Sequence, residues 1–300
     1  MSELFEVIRA ALLDPFGLVD VPARELLTDF VNWIVDTFRA FFRTYVSPPV
    51  AAVMAGVQGV LGAIPPALFL VLVFALGWWT TSWRVGLFGL VALFVVGIMG
   101  VWAQLVITLS LVITAVLFSV AIGLPLGILS SRSDRFYTVL RPILDIMQTT
   151  PPFVYLVPTV MLFGIGNVPG LIATIIFAMP PMIRLTNLGI RQVQAELVEA
   201  AVAFGSTPRQ LLWKVQFPLA LPTVMAGLNQ TIMLSLSMVV IAAIIGAGGL
   251  GLEVYAGLER LNIGQAFVGG IAIVLLAMVL DRITQGLGEK APGRRKAGPK

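Results

Sequence analysis

Within the long apolar runs of this chain, the groups able to do chemistry are hydroxyls and amides: Gln104, Thr108, Thr114, Thr149, Thr150, Asn167, Asn229, Gln230, Ser235 and Ser237. Such groups exchange hydrogen bonds but carry no charge near neutrality, so they can guide a polar solute without driving it. The ionisable Arg184, Asp281 and Arg282 stand at the ends of runs, where snorkelling or mutual pairing accounts for them. Histidine and cysteine are both absent. That excludes imidazole bases, thiol nucleophiles, disulfides and the usual zinc ligands. With no carboxylate pair inside the runs, no catalytic constellation emerges, and an intramembrane enzyme is disfavoured. A phosphate-binding loop needs Gly-Lys before Ser or Thr, and none of Lys214, Lys290, Lys296 and Lys300 stands in that setting. Any uphill movement must therefore draw its energy from a separate partner.

The elements that must position these groups are membrane helices. The 300 residues are 58% hydrophobic and 11% charged, far from the roughly 25% charged residues of soluble domains. Seven apolar stretches approach the length of a bilayer span: about 64–80, 84–101, 104–129, 149–166, 169–187, 222–246 and 263–284. They are continuous and lack the alternation of barrel strands. The fold class expected is an all-α polytopic bundle. The start of the chain has neither a basic leader nor a small-residue cleavage site, so no signal peptide is expected. Segment 1–63 forms an N-terminal unit. Its residues 24–46 place Leu26, Leu27, Phe30, Val31, Ile34, Phe38, Phe41, Phe42 and Tyr45 at helical spacing, opposite Asp29, Asn32, Asp36, Arg39 and Arg43. Ser47-Pro48-Pro49 is expected to end that amphipathic helix. Residues 64–286 hold the spans, and 287–300 form a basic tail.

Lysine and arginine set the orientation. With 188–221 placed in the cytoplasm, fourteen basic residues fall on that side and only Arg260 in the outer loops, while the N-terminal segment carries seven acidic residues against four arginines. The asymmetry predicts N-out and C-in. It also explains the net charge of +4 without nucleic acid.

One segment does not fit a simple bundle. Connections between helices are commonly 2–8 residues, yet 188–221 is far longer. Residues 190–204 read as a helix with Ala200, Ala201 and Ala203 near one side. Gly205 suits a left-handed position after it. Thr207, with Pro208 next and Gln210 three residues on, forms a capping box for a second helix. That helix is expected to stop near Pro218, and Pro222 to open the next span. The product is a helix–glycine–helix elbow that offers alanines for close approach and Glu199, Arg209 and Lys214 for polar contacts. The Gly-rich 246–251 is expected to break a helix and allow close backbone packing.

Glu199-Ala200-Ala201, then Gly205, then FPLALP at 217–222 resembles the EAA motif of ABC-importer permeases. Residues 140–190 and 224–251 are similar to the glycine betaine/proline betaine, or osmoprotectant, branch, and the likeness extends over about 24–285. The resemblance implies that Glu199, Ala200, Ala201 and Gly205 couple the chain to a cytoplasmic ABC ATPase, and the polar Arg209 and Lys214 of the same elbow are expected to join them. ATP and Mg²⁺ would then belong to that partner, with no cofactor on this chain. It further implies a bacterial cytoplasmic (inner) membrane location, a separate extracytoplasmic substrate-binding protein, and a homodimer that supplies two elbows. Thr149, Thr150 and Tyr155, in the proline-rich 149–158, are candidates for the translocation path. A permease for choline, methionine or taurine, and an osmotically gated channel independent of ATP, remain open alternatives.

Overall fold

Carbonyl and amide groups in lipid must find partners within their own segment, and runs of Leu, Ile, Val and Ala do so as helices. The computed structural model describes residues 22–290, in which helices dominate and no strand occurs among the described residues. The sequence before Pro22 and the tail after Lys290 lie outside the described residues, so the irregular start and the tail's basic cluster do too.

Helices α1 (Ala23–Phe41) and α2 (Ser47–Ala63) run together through a π-helical turn, Phe42–Val46. The prolines therefore do not end the amphipathic helix as expected. A proline ring crowds the carbonyl four residues back and offers no N–H. The wider π-turn lies where those carbonyls are, with the Ser47 N–H reaching back to the Phe42 carbonyl. The same device recurs after α11 (Pro208–Gln210): a π-turn at Leu211–Gln216 precedes Pro218, and the Phe217 N–H reaches Leu212. The helix expected to stop near Pro218 instead continues as α12 (Phe217–Ala243).

Between these, α3 (Pro66–Thr80) and α4 (Trp83–Ile98) form a close hairpin, followed by the long α5 (Trp102–Arg132). Next come α6 (Asp134–Thr149) and α7 (Pro152–Phe163), bent by 100° where they meet. The stretch 149–166 is thus not one straight helix. Thr149 ends α6 and Thr150 sits in the corner, because Pro151 forces its predecessor into an extended conformation. Helices α8 (Asn167–Ala178) and α9 (Pro180–Arg191) follow, then α10 (Ala195–Ala203). The helix expected over 190–204 is broken at 192–194, where Gln194 is extended (ψ 131°). A short α13 (Leu250–Glu259), absent from the seven expected segments, and α14 (Ile263–Lys290) complete the described chain. Among the described residues five segments are long and apolar enough to cross a membrane: 24–63, 102–132, 167–191, 208–243 and 263–290. The bent α6–α7 pair gives a sixth if counted as one span, and α3 and α4 are shorter apolar helices.

The main core gathers Leu93, Val96, Leu105, Leu109, Leu236, Val239, Leu250 and Leu276, from α4, α5, α12, α13 and α14. In lipid such packing gains dispersion contacts rather than hydrophobic transfer, so close approach matters. A Cβ on Gly127 of α5 would lie 2.5 Å from the Thr186 Cβ of α9. The 246–251 stretch does both things expected of it. It ends α12, and the chain beyond is held by Leu250 N donating to Thr108 Oγ1 at 2.8 Å and Gly248 N to Asn167 Oδ1 at 2.7 Å. The N-terminal helix is tied to the bundle through α7. Arg39 and Arg43 donate from Nε to the Met161 and Leu162 carbonyls, each at 3.1 Å. Those are carbonyls that the end of α7 leaves unpaired, where a cation also suits the helix dipole.

Candidate functional site: the elbow and the broken helix

The elbow is built by local rules. At the end of α10, Gly205 N donates to Val202 O at 2.9 Å and Ser206 N to Ala201 O at 3.0 Å. This pair of bonds is the Schellman arrangement, which requires a left-handed residue at its centre. Gly205 supplies it with φ +81°. The capping box follows as expected: Gln210 N donates to Thr207 Oγ1 at 3.3 Å, and Thr207 N to Gln210 Oε1 at 2.9 Å. Two helix ends meet within four residues, each capped by bonds of its own neighbours.

What the elbow presents is unfinished. Phe204, at its tip, is 92% exposed, and Val202 and Trp213 are at least half exposed. Glu199, Ala200, Gly205, Arg209 and Lys214 are exposed and Ala201 is partly so. Among the described residues none of Glu199, Arg209 and Lys214 forms an ion pair. Beneath the elbow a cavity of about 420 Å³ is lined by Gln192, Gln194, Leu197, Leu219 and Thr223, among others. Apolar surface beside unpaired charges, on a rigid support, is the composition of a docking surface.

The root of the elbow is tied down by residues that the sequence did not single out for it. Arg132 donates from Nη2 to the Pro208 carbonyl at 2.8 Å. Arg191 reaches Ser130 O at 2.8 Å and pairs with Asp134 at 2.6 Å, its guanidinium 5.6 Å from the Tyr137 ring centre. Farther along α6, Asp145 pairs with Arg184. Arg184 is thus not left to snorkel alone. Asp281, near the end of α14, accepts from Asn229 at 2.9 Å and Gln285 at 2.7 Å.

Thr149, Thr150 and Tyr155 gather at the α6–α7 corner, apart from the elbow. Their hydroxyls serve the break itself. Thr149 donates to Asp145 O at 2.9 Å, Thr150 to Ile146 O at 2.7 Å and Tyr155 to Met147 O at 2.8 Å. These bonds go to carbonyls in the last turn of α6, where the helix ends.

The described residues thus form a bundle of membrane helices with an exposed, doubly capped elbow. Residues 119–290 match the family model described as binding-protein-dependent transport system inner membrane component, and the chain belongs to that family. The glycine betaine/proline betaine transport system permease protein of Escherichia coli (strain K12) is 51% identical over 283 residues, covering 94% of this chain and 80% of the relative. The glycine betaine transport system permease protein of Bacillus subtilis (strain 168) is 47% identical over 277 residues, 92% of this chain and 98% of the relative. Among solved structures, an inward-facing MetNI methionine ABC transporter aligns with a TM-score of 0.57 at 23% identity, covering 61% of this chain and 92% of that one. That likeness bears on the fold alone. The chain is a permease subunit and not an enzyme, as its relatives are named.

Proposed function

We propose that this chain carries glycine betaine and proline betaine-type solutes across a bacterial cytoplasmic membrane, as the membrane subunit of an ATP-driven importer. The relatives named for betaines are 47–51% identical, whereas the choline transport permease of Bacillus subtilis is 32% identical over 177 residues. That gradient favours betaines over choline.

The single observation that carries the coupling is the elbow: a rigid, doubly capped turn whose apolar tip is left open. In this reading Ala200 and Ala201 allow a cytoplasmic ATPase to approach α10 closely. Glu199, Arg209 and Lys214 supply polar contacts, and Gly205 sets the angle between the two helices. ATP and Mg²⁺ stay with the ATPase. Each chain offers one elbow, so two copies related by a two-fold axis match a two-fold ATPase pair. A separate extracytoplasmic binding protein delivers the solute, the orientation being N-out and C-in. Closure of the ATPases draws the elbows together and opens the spans outward, and hydrolysis returns them. Thr149, Thr150 and Tyr155 offer hydroxyls to the passing solute at the α6–α7 corner.

The test is to purify the chain with its ATPase and binding protein, reconstitute them, and measure hydrolysis with each solute. Glycine betaine or proline betaine is expected to stimulate hydrolysis most. Stimulation by choline, methionine or taurine alone reassigns the solute. Uptake that persists after ATP depletion replaces the importer with a gated channel.

A further inference from the structure

We infer that α6 is the lever that carries elbow movement to α7, and that its ion pairs Asp134–Arg191 and Asp145–Arg184 are positioning contacts for transport. The inference rests on the coupling role proposed for the elbow.

Three observations meet in this helix. At its root, Arg132 holds the Pro208 carbonyl, the first residue of the helix leaving the elbow, at 2.8 Å. Ser133 then caps α6, accepting from Phe136 N at 3.3 Å. Displacement of Pro208 therefore reaches α6 through the Arg132 side chain, at the end of α5, and the Ser133 cap that joins the two helices. Along its length, α6 is tied to α9 at two separated points, Asp134 to Arg191 and Asp145 to Arg184. Eleven residues of α6 separate the carboxylates, about 16 Å along its axis. One pair would let α6 pivot, whereas two fix its direction against α9. At the far end, the 100° corner is braced by Tyr155 of α7 donating back to Met147 O at 2.8 Å. Both ion pairs are exposed, on the Asp134 side most of all, and such pairs add little stability. Their use lies in direction, which stability does not report.

The experiment uses the reconstituted assembly with Asp145→Arg, Arg184→Asp and the double exchange D145R/R184D, and reads solute taken up per ATP hydrolysed. Each single reversal is expected to lower that ratio about tenfold or more, within the usual range of coupling between sites, while the ATPase still co-purifies. The double exchange is expected to restore most of it. Single reversals with an unchanged ratio, or an exchange that stays as uncoupled as the singles, overturn the lever. A second measurement needs no solute. The chain has no cysteine, so labels at Thr138→Cys and Val157→Cys, carried by one copy of the assembly beside an unlabelled one, report α6 against α7. Their separation is expected to stay constant between nucleotide-free and ATP-bound assemblies, and a change of about one helical turn, roughly 5 Å, overturns the rigid corner. Failure of the wild-type assembly to hydrolyse ATP in response to betaines strikes the proposed function instead, and the label distances still judge the lever.

Discussion

Two helices of this protein end in the same way and to different purpose. After α10, Gly205 takes φ +81°, and after α12, Gly246 takes φ +83°. Both stand inside matching pairs of hydrogen bonds, Gly205 N to Val202 O and Ser206 N to Ala201 O in one, Gly246 N to Ala243 O and Ala247 N to Ala242 O in the other. Their surroundings differ. A Cβ on Gly205 would meet nothing within 4 Å, whereas one on Gly246 would come 2.7 Å from Ile165 Cγ2. The elbow is shaped by its own backbone and left bare. The 246–251 break is shaped by what packs on it, and is complete within the chain. Identical backbone chemistry thus leaves one turn open and the other filled by its neighbours.

The contrast can be broken most severely at the packed break. Gly249→Val would place a Cβ 2.5 Å from Thr108 Oγ1 and 3.1 Å from the Thr108 backbone nitrogen, at φ +98°. Overpacking and left-handed strain together cost about 2–5 kcal/mol, and the yield of monodisperse protein after detergent extraction is expected to collapse. Gly205→Val carries the strain alone, about 1–2 kcal/mol. It should insert and purify near wild-type levels yet lose coupled uptake; normal uptake by this variant would count against the elbow as the coupling element. Thr207→Ala removes one half of the capping box and should cost about 1 kcal/mol, read as a lower midpoint of thermal unfolding with uptake reduced only a few-fold. The smallest effect sharpens the comparison by reversing its sign. Leu261 adopts φ 53° at a third helix end of this kind, with Leu261 N bonded to Leu258 O and Asn262 N to Gly257 O. Leu261→Gly relieves that strain and should raise the unfolding midpoint, by an amount worth about 0.5–1 kcal/mol.

The elbow's caps were legible in the sequence because every group that makes them lies within six residues of its partner. The Gly-rich break was legible because its glycines themselves mark a helix end, although its ties to Thr108 and Asn167 lie far along the chain. What escaped the reading depends on distance. Asp145 meets Arg184 across 39 positions and Asp134 meets Arg191 across 57, so nothing local marks α6 as tied to α9. Its apolar residues Val139, Ile143 and Ile146 do repeat at helical spacing, and that was the signal available for the helix itself. The expectation that Pro48-Pro49 and Pro218 stop their helices failed for a different reason. Proline's effect was read for an α-helix alone, and a π-turn placed over the crowded carbonyls removes the conflict. The break at 192–194 carries no glycine or proline, and local sequence gives it no sign.

The π-turns have a consequence for motion. Each holds one residue more than an α-helix of the same span, and one residue of α-helix corresponds to about 100° of rotation and 1.5 Å of rise. Passing that surplus one step along would turn the residue it crosses onto a new face without opening the helix or changing the register beyond it. In the 208–243 segment the spare residue sits between the bare tip and the membrane portion. Side chains at that joint can thereby be turned while the shaft keeps its place, much as a key turns a tumbler that it does not push.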